Sequence, residues 1–124
     1  NIAVELFAEY AKAGLDSKRL IIDPIIAPLI WQDGNIQNME ILSVIRTLPD
    51  LLGFDVRTIA GLSNLTSGQS DRKKKDLLEK AYLPMLLEAG LGMILMDVLH
   101  GKAVTVARAC SALMGPKVFS WEEV

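Results

Sequence analysis

Three short apolar runs in this chain each close on a polar side chain: Leu20-Ile21-Ile22-Asp23, the run RTIAGLSN from Arg57 to Asn64, and Met93-Ile94-Leu95-Met96-Asp97. Segments of helical apolar spacing separate them, and this alternation constrains the fold more than any other feature. Strands divided by helices run parallel and are joined by right-handed crossovers. Runs that are apolar throughout, rather than alternating, belong to strands covered on both faces. The carboxyl ends of such strands are where α/β proteins keep their chemistry. Asp23, Asn64 and Asp97 are therefore expected to meet at one edge of a parallel sheet.

The rest of the chain fills in the repeat. Ile2, Leu6, Phe7, Tyr10 and Ala11 recur at helical spacing, and Gly14 stops that helix. A strand from Arg19 to Asp23 follows, then a long loop containing Pro28, Trp31 and Asp33-Gly34. Met39, Leu42, Ile45, Arg46 and Leu48 mark a helix expected to end before Pro49. After the strand from Arg57 to Asn64 and the loop Leu65 to Ser70, a helix from about Asp71 to Ala89 turns Leu77, Leu78, Ala81, Tyr82, Met85 and Leu86 inward. Pro84 should kink it and Gly90 closes it. A third strand from Gly92 to Asp97, a helix from about Lys102 to Leu113, and a fourth strand over Lys117-Val118-Phe119-Ser120 complete the order α-β-α-β-α-β-α-β, leaving Trp121 to Val124 as a tail. Two architectures fit: the second half of a (β/α)8 barrel, which needs about 250 residues when whole, and a small open doubly wound sheet. A half barrel alone would leave its inner face and both sheet edges uncovered.

Composition narrows the function classes. The chain has 124 residues, 51% of them apolar and 23% charged, which suits one packed domain. Its net charge of -2 comes from interspersed signs, which argues against a nucleic-acid surface. The one basic run, Arg72-Lys73-Lys74-Lys75, reads as a solvated first helical turn between Asp71 and Asp76. Its apolar stretches are broken by Pro, Asp or Gly well short of the roughly 20 residues that span a bilayer, so no membrane partner is expected. The single cysteine, Cys110, excludes an internal disulfide, suits a reducing compartment and reads as a small core hydrophobe. With no basic n-region in Asn1-Ile2-Ala3-Val4-Glu5, the chain reads as cytoplasmic. Because it starts in mid-helix without a capping signal, it is expected to be a piece of something longer.

Asp23 and Asp97 could serve as metal ligands, as general acid and base, or as acceptors for a ligand with adjacent N–H donors. Two carboxylates and one histidine, His100, make a poor closed metal site. Ser63 has no partner histidine at a recognisable position, and Cys110 lies on the wrong element for a nucleophile. Gly61 and Gly68 lack the spacing of a phosphate loop. Polar recognition of a flat heterocycle at the strand ends remains.

Ile22-Asp23-Pro24, Gly61-Leu62-Ser63-Asn64 with its hydroxyl-rich loop, and Ala89-Gly90-Leu91 leading into Ile94-Leu95-Met96-Asp97 resemble the second half of the pterin-binding TIM barrels. The similarity runs over essentially the whole chain. It is closest to the methyltetrahydrofolate:corrinoid protein methyltransferases, with the folate domain of cobalamin-dependent methionine synthase as a cousin. Dihydropteroate synthases share the barrel but typically carry Ser-Arg-Lys where this chain has Ser63-Asn64-Leu65, which favours methyl transfer over pterin condensation. The resemblance implies that Asp23 accepts the pterin N3–H and 2-amino group as a bidentate pair. It matches Asn64 to the asparagine that reaches N5 of methyltetrahydrofolate, with Ser63 supporting the turn or lining the pterin site and Asp97 either lining that site or capping the strand-to-helix junction.

It further implies a corrinoid partner protein as methyl acceptor. Corrinoid proteins use an Asp-x-His-x-x-Gly element, and Asp97-Val98-Leu99-His100-Gly101 does not reproduce it, so the corrinoid is expected on the partner. Members of this group often have glutamine three residues after the asparagine, where this chain has Ser67, and the loop from Gly68 to Lys75 also departs from theirs. Trp31, on a strand-end loop, either packs onto the barrel or faces the partner. Rival expectations are a non-catalytic barrel subunit that scaffolds a corrinoid protein, and a dihydropteroate-synthase-like pterin enzyme. A homodimer of half barrels closing on one another is the expected assembly.

Overall fold

The computed structural model describes residues 2–99 and 102–124. Helices α1 (Ile2–Lys12), α2 (Gly34–Leu52), α3 (Arg72–Ala89) and α4 (Ala103–Met114) alternate with strands β1 (Ile21–Ile22), β2 (Arg57–Gly61) and β3 (Met93–Leu95). The strands form one parallel sheet in the order β1-β2-β3, with Ile22 opposite Thr58 and Gly61 opposite Leu95. The protein is thus α/β with a small open parallel sheet, as the alternation of apolar runs requires. No helix among the described residues is long and apolar enough to cross a membrane.

The core lies between one face of this sheet and helices α2, α3 and α4. Side chains alternate across a strand, so Thr58 and Ala60 point to the buried side. There Ala60 meets Leu42 and Ile45 of α2 and Leu83 and Leu86 of α3, with Ala103 and Val106 of α4 closing the cluster. Each of the fully buried leucines Leu48, Leu83 and Leu86 contributes on the order of 1.5–3 kcal/mol by leaving water. The opposite sheet face, carrying Ile21, Ile59, Gly61 and Met93, ends in Leu95, which is 62% exposed.

Two polar ties hold the connections. Asn38, buried on the core stripe of α2, accepts from the Ala27 amide at 2.9 Å and donates to the Ala27 carbonyl at 2.8 Å, fixing the loop that follows β1. The buried Thr58 hydroxyl accepts from the Gly92 amide at 3.0 Å, which aligns the start of β3 beside β2.

The structure corrects several expectations. No fourth strand forms over 117–120: Val118 is 93% exposed, and Phe119 packs edge-on against Trp121 at 5.0 Å. Residues 117–119 are all exposed, so no apolar burial holds them to a sheet. Helix α2 does not stop before Pro49 but runs to Leu52, because burying Leu48 outweighs the one hydrogen bond that proline cannot donate. Strand β2 ends at Gly61 rather than Asn64, and Leu62–Thr66 is a 3-10 turn. Leu62, Leu65 and Thr66 are its buried residues, a helical spacing.

On α3, which continues through Pro84, the inward face is Tyr82, Leu83, Leu86 and Ala89. Leu77 is 69% exposed, and Leu78, Ala81 and Met85 also face outward. The expected α1 stripe is likewise mostly solvent-facing: Ile2 and Leu6 are exposed, and Phe7 makes the anchoring contact, 5.2 Å from the Phe54 ring. Cys110 is buried on α4, as a core hydrophobe should be.

Candidate functional site

The carboxyl ends of the strands present the singled-out side chains, each held by its own turn. Asp23 directly follows β1 and is exposed; its Oδ1 accepts from the Ile25 amide at 2.8 Å. Ile25 has a φ of 60°, a left-handed conformation that a β-branched residue seldom adopts. The Asp23 hydrogen bond and the Asn38 clamp on Ala27 hold it from both sides. One Asp23 oxygen is thereby committed to the turn, so the carboxylate is oriented rather than swinging freely.

Asn64 lies on the exposed side of the 3-10 turn after β2, with its carbonyl accepting from the Ser67 amide at 3.2 Å. Its side-chain amide folds back over the end of the strand. A Cβ on Gly61 would sit 3.5 Å from Asn64 Nδ2, in van der Waals contact. By strand alternation that Cβ would point to the open face of the sheet, so the Asn64 amide lies over that face at the strand end. Asp97 stands two residues beyond β3, exposed, with Oδ1 accepting from the Leu99 amide at 2.9 Å. His100 and Gly101 lie outside the described residues.

Two of the four expected site residues share a cavity. A space of about 130 Å³ opens between the 3-10 turn, the N-terminal half of α3, the residues after β3 and the start of α4. Ser63 and Asp97 line it, whereas Asp23 and Asn64 do not. Arg72, Lys75 and Lys80 reach it from α3 along with Asp76 and Glu79. These positions recur three and four apart, so they form one helix face that continues into the buried stripe. The basic run is therefore divided: Arg72 and Lys75 turn to the cavity, while Lys73 and Lys74 stand in solvent, as expected of a first helical turn.

Asp71 caps that turn, its Oδ1 accepting from the Lys73 amide at 2.9 Å and the Lys74 amide at 3.3 Å. Glu79 accepts from the Thr66 hydroxyl at 2.7 Å, linking α3 to the Asn64 turn. Among the described residues no three His, Cys, Asp or Glu side chains gather as a metal site.

The sequence reading missed the cavity contribution of Arg72, Lys75 and Lys80, and the clamp of Asn38. Both had a signal. Asn38 interrupts an otherwise apolar stripe of α2 at core spacing with Ile41, Leu42 and Ile45, and a lone amide there is expected to satisfy buried backbone. Trp31 stands exposed on the loop after β1. Comparison with protein-family models gives no match, and neither does comparison with curated proteins.

Proposed function

We propose that this chain is the C-terminal half of a pterin-binding (β/α)8 barrel that takes part in methyl transfer from methyltetrahydrofolate to a corrinoid protein. The observation that carries the reading is the Asn64 amide. It folds over Gly61 on the open face of the central strand, with the Asp23 loop on the neighbouring strand to one side and the Asp97 loop on the other. The sequential order β1-β2-β3, with α2, α3 and α4 packed on one sheet face, favours barrel staves. A doubly wound sheet has helices on both faces. The similarity of the Ile22-Asp23-Pro24 and Gly61-Leu62-Ser63-Asn64 elements to the pterin-binding barrels supplies the substrate class.

Asp23 uses the oxygen left free by its turn, together with the turn-held one, to accept the N3–H and 2-amino donors of the pterin. Asn64 donates a hydrogen bond to N5. An amine anion leaves poorly, so a donor that strengthens as charge develops on N5 lowers the barrier, by roughly 2–4 kcal/mol by analogy with oxyanion donors. The amide supplies no proton at neutral pH; solvent does. The cobalt of a corrinoid carried by a partner protein is the methyl acceptor.

Calorimetric titration of the complete barrel with methyltetrahydrofolate tests the reading, since this half alone holds only part of the pterin site and is expected to be inactive. Binding is expected, and its absence would sink both this enzyme and a dihydropteroate-synthase-like one, leaving a subunit that scaffolds a corrinoid protein. Asn64→Ala is expected to slow methyl transfer about 100-fold while pterin affinity changes by no more than a few fold. A large affinity loss without a rate defect would refute the role given to Asn64.

A further inference from the structure

The cavity beside the Asn64 turn holds charge that the proposed pterin contacts do not use. Its cations, Arg72, Lys75 and Lys80, take no part in the ion pairs among the described residues, Lys12–Glu9 and Arg46–Glu88. Its carboxylates are differently placed. Glu79 is engaged by the Thr66 hydroxyl, and Asp97 by the Leu99 amide. Leu62, Met96 and Ala103 give the space an apolar wall, and Ser63 lines it beside them. At about 130 Å³ it is too small for a whole ligand, which typically fills about 300–1,000 Å³. It can take one end of a ligand whose remainder lies outside.

We propose that this cavity is an anion subsite that binds the glutamate tail of the reduced folate, an inference that rests on the function proposed above. Adjacent residues of one turn serve the two ends: the Asn64 amide covers Gly61, and Ser63 lines the cavity. Arg72 and Lys75 receive the tail carboxylates, Arg72 with a fork that suits bidentate pairing. The acids decide between anions. A compact phosphate would bring concentrated negative charge against Asp76 and Asp97, whereas a glutamyl chain alternates carboxylates with amide N–H groups that those acids can accept. The apolar wall suits the aminobenzoyl ring at the tail's root.

Equilibrium binding to the complete barrel with three probes tests this: p-aminobenzoyl-triglutamate for the tail, 6-methyltetrahydropterin for the head, and inorganic phosphate. Two double variants are compared. Arg72→Gln/Lys75→Gln removes two cations from the cavity. Lys73→Gln/Lys74→Gln removes the same charge from the solvent side of the same turn. The first is expected to weaken the tail probe at least tenfold and the second by less than twofold, with the head probe unchanged in both. Equal losses in the two variants, no tail binding to the unaltered protein, or tighter binding of phosphate than of the tail would overturn the assignment. Tail binding with the expected pattern but no head binding upholds the anion subsite and overturns the pterin function, so the two failures are separable.

Discussion

Asn38 shows how a single side chain sets the geometry of a strand-end loop. Its amide satisfies both the N–H and the C=O of Ala27, at 2.9 and 2.8 Å, in a buried setting. Asn38→Ala leaves those two backbone groups unpaired away from water. At about 1–3 kcal/mol for each unsatisfied group, the expected loss is about 2–6 kcal/mol, read as a lower urea midpoint with an unchanged slope. The same variant frees the Pro24 to Ala27 turn, so pterin affinity through Asp23 is expected to fall even though Asn38 touches no ligand. At this scale the sequence was legible where a residue type has few uses. Cys110 is a core hydrophobe, and the Asp residues lie at the strand ends. It was not legible where two uses look alike. Asp23 both caps its own turn and offers a carboxylate, and only the Ile25 φ of 60° shows how firmly that turn is held.

The helices and strands were legible in kind and order, and less so at their boundaries and faces, because packing overrides local preference there. Pro49 is a stop signal by its own chemistry, yet α2 passes it to keep Leu48 buried. Strand β2 stops at Gly61 because Leu62, Leu65 and Thr66 reach the core better on a tight turn than along a strand. Leu77 and Leu78 are apolar, but the core face of α3 is fixed by Tyr82, Leu83 and Leu86. Tyr82 also ties α3 to α2, donating from its hydroxyl to the Asn38 carbonyl at 2.6 Å.

Burial pushes that hydroxyl up from 10.0 to about 12. Below about pH 10 both folded and unfolded chains keep the proton, so stability does not depend on this group. Between about pH 10 and 12 the unfolded chain loses it while the folded chain keeps it, so stability falls as pH rises. Chemical denaturation across that window is expected to show the decline. In Tyr82→Phe this part of the slope vanishes, at a cost near neutral pH of about 0.5–1.5 kcal/mol for the one hydrogen bond lost, the Asn38 carbonyl keeping its bond within α2.

At the scale of the whole molecule, a one-sided sheet sets where the proposed site lies and, on the half-barrel reading, leaves it to be completed by further staves. The helices cover one face, and right-handed crossovers between sequential strands keep α2 and α3 on that side. The other face ends at the carboxyl edge with Asn64 over Gly61, and it leaves Ile21 and Leu95 exposed. In a whole barrel that face is interior, filled by layers of branched side chains from alternate strands. A second copy of the chain presents the same apolar strip and can close on it as an isologous pair. The chain on its own is therefore expected to self-associate at micromolar concentration, with a sedimentation mass above the 13.6 kDa of one copy. Ile21→Lys/Leu95→Lys places charge on the strip without disturbing the helix-side core, so it should return the protein to one copy while its helical circular dichroism stays unchanged. The Lys73→Gln/Lys74→Gln variant, altered on the far side of α3, should associate as the unaltered chain does. A monodisperse single copy before any substitution would count against the half-barrel reading and for a self-contained open sheet.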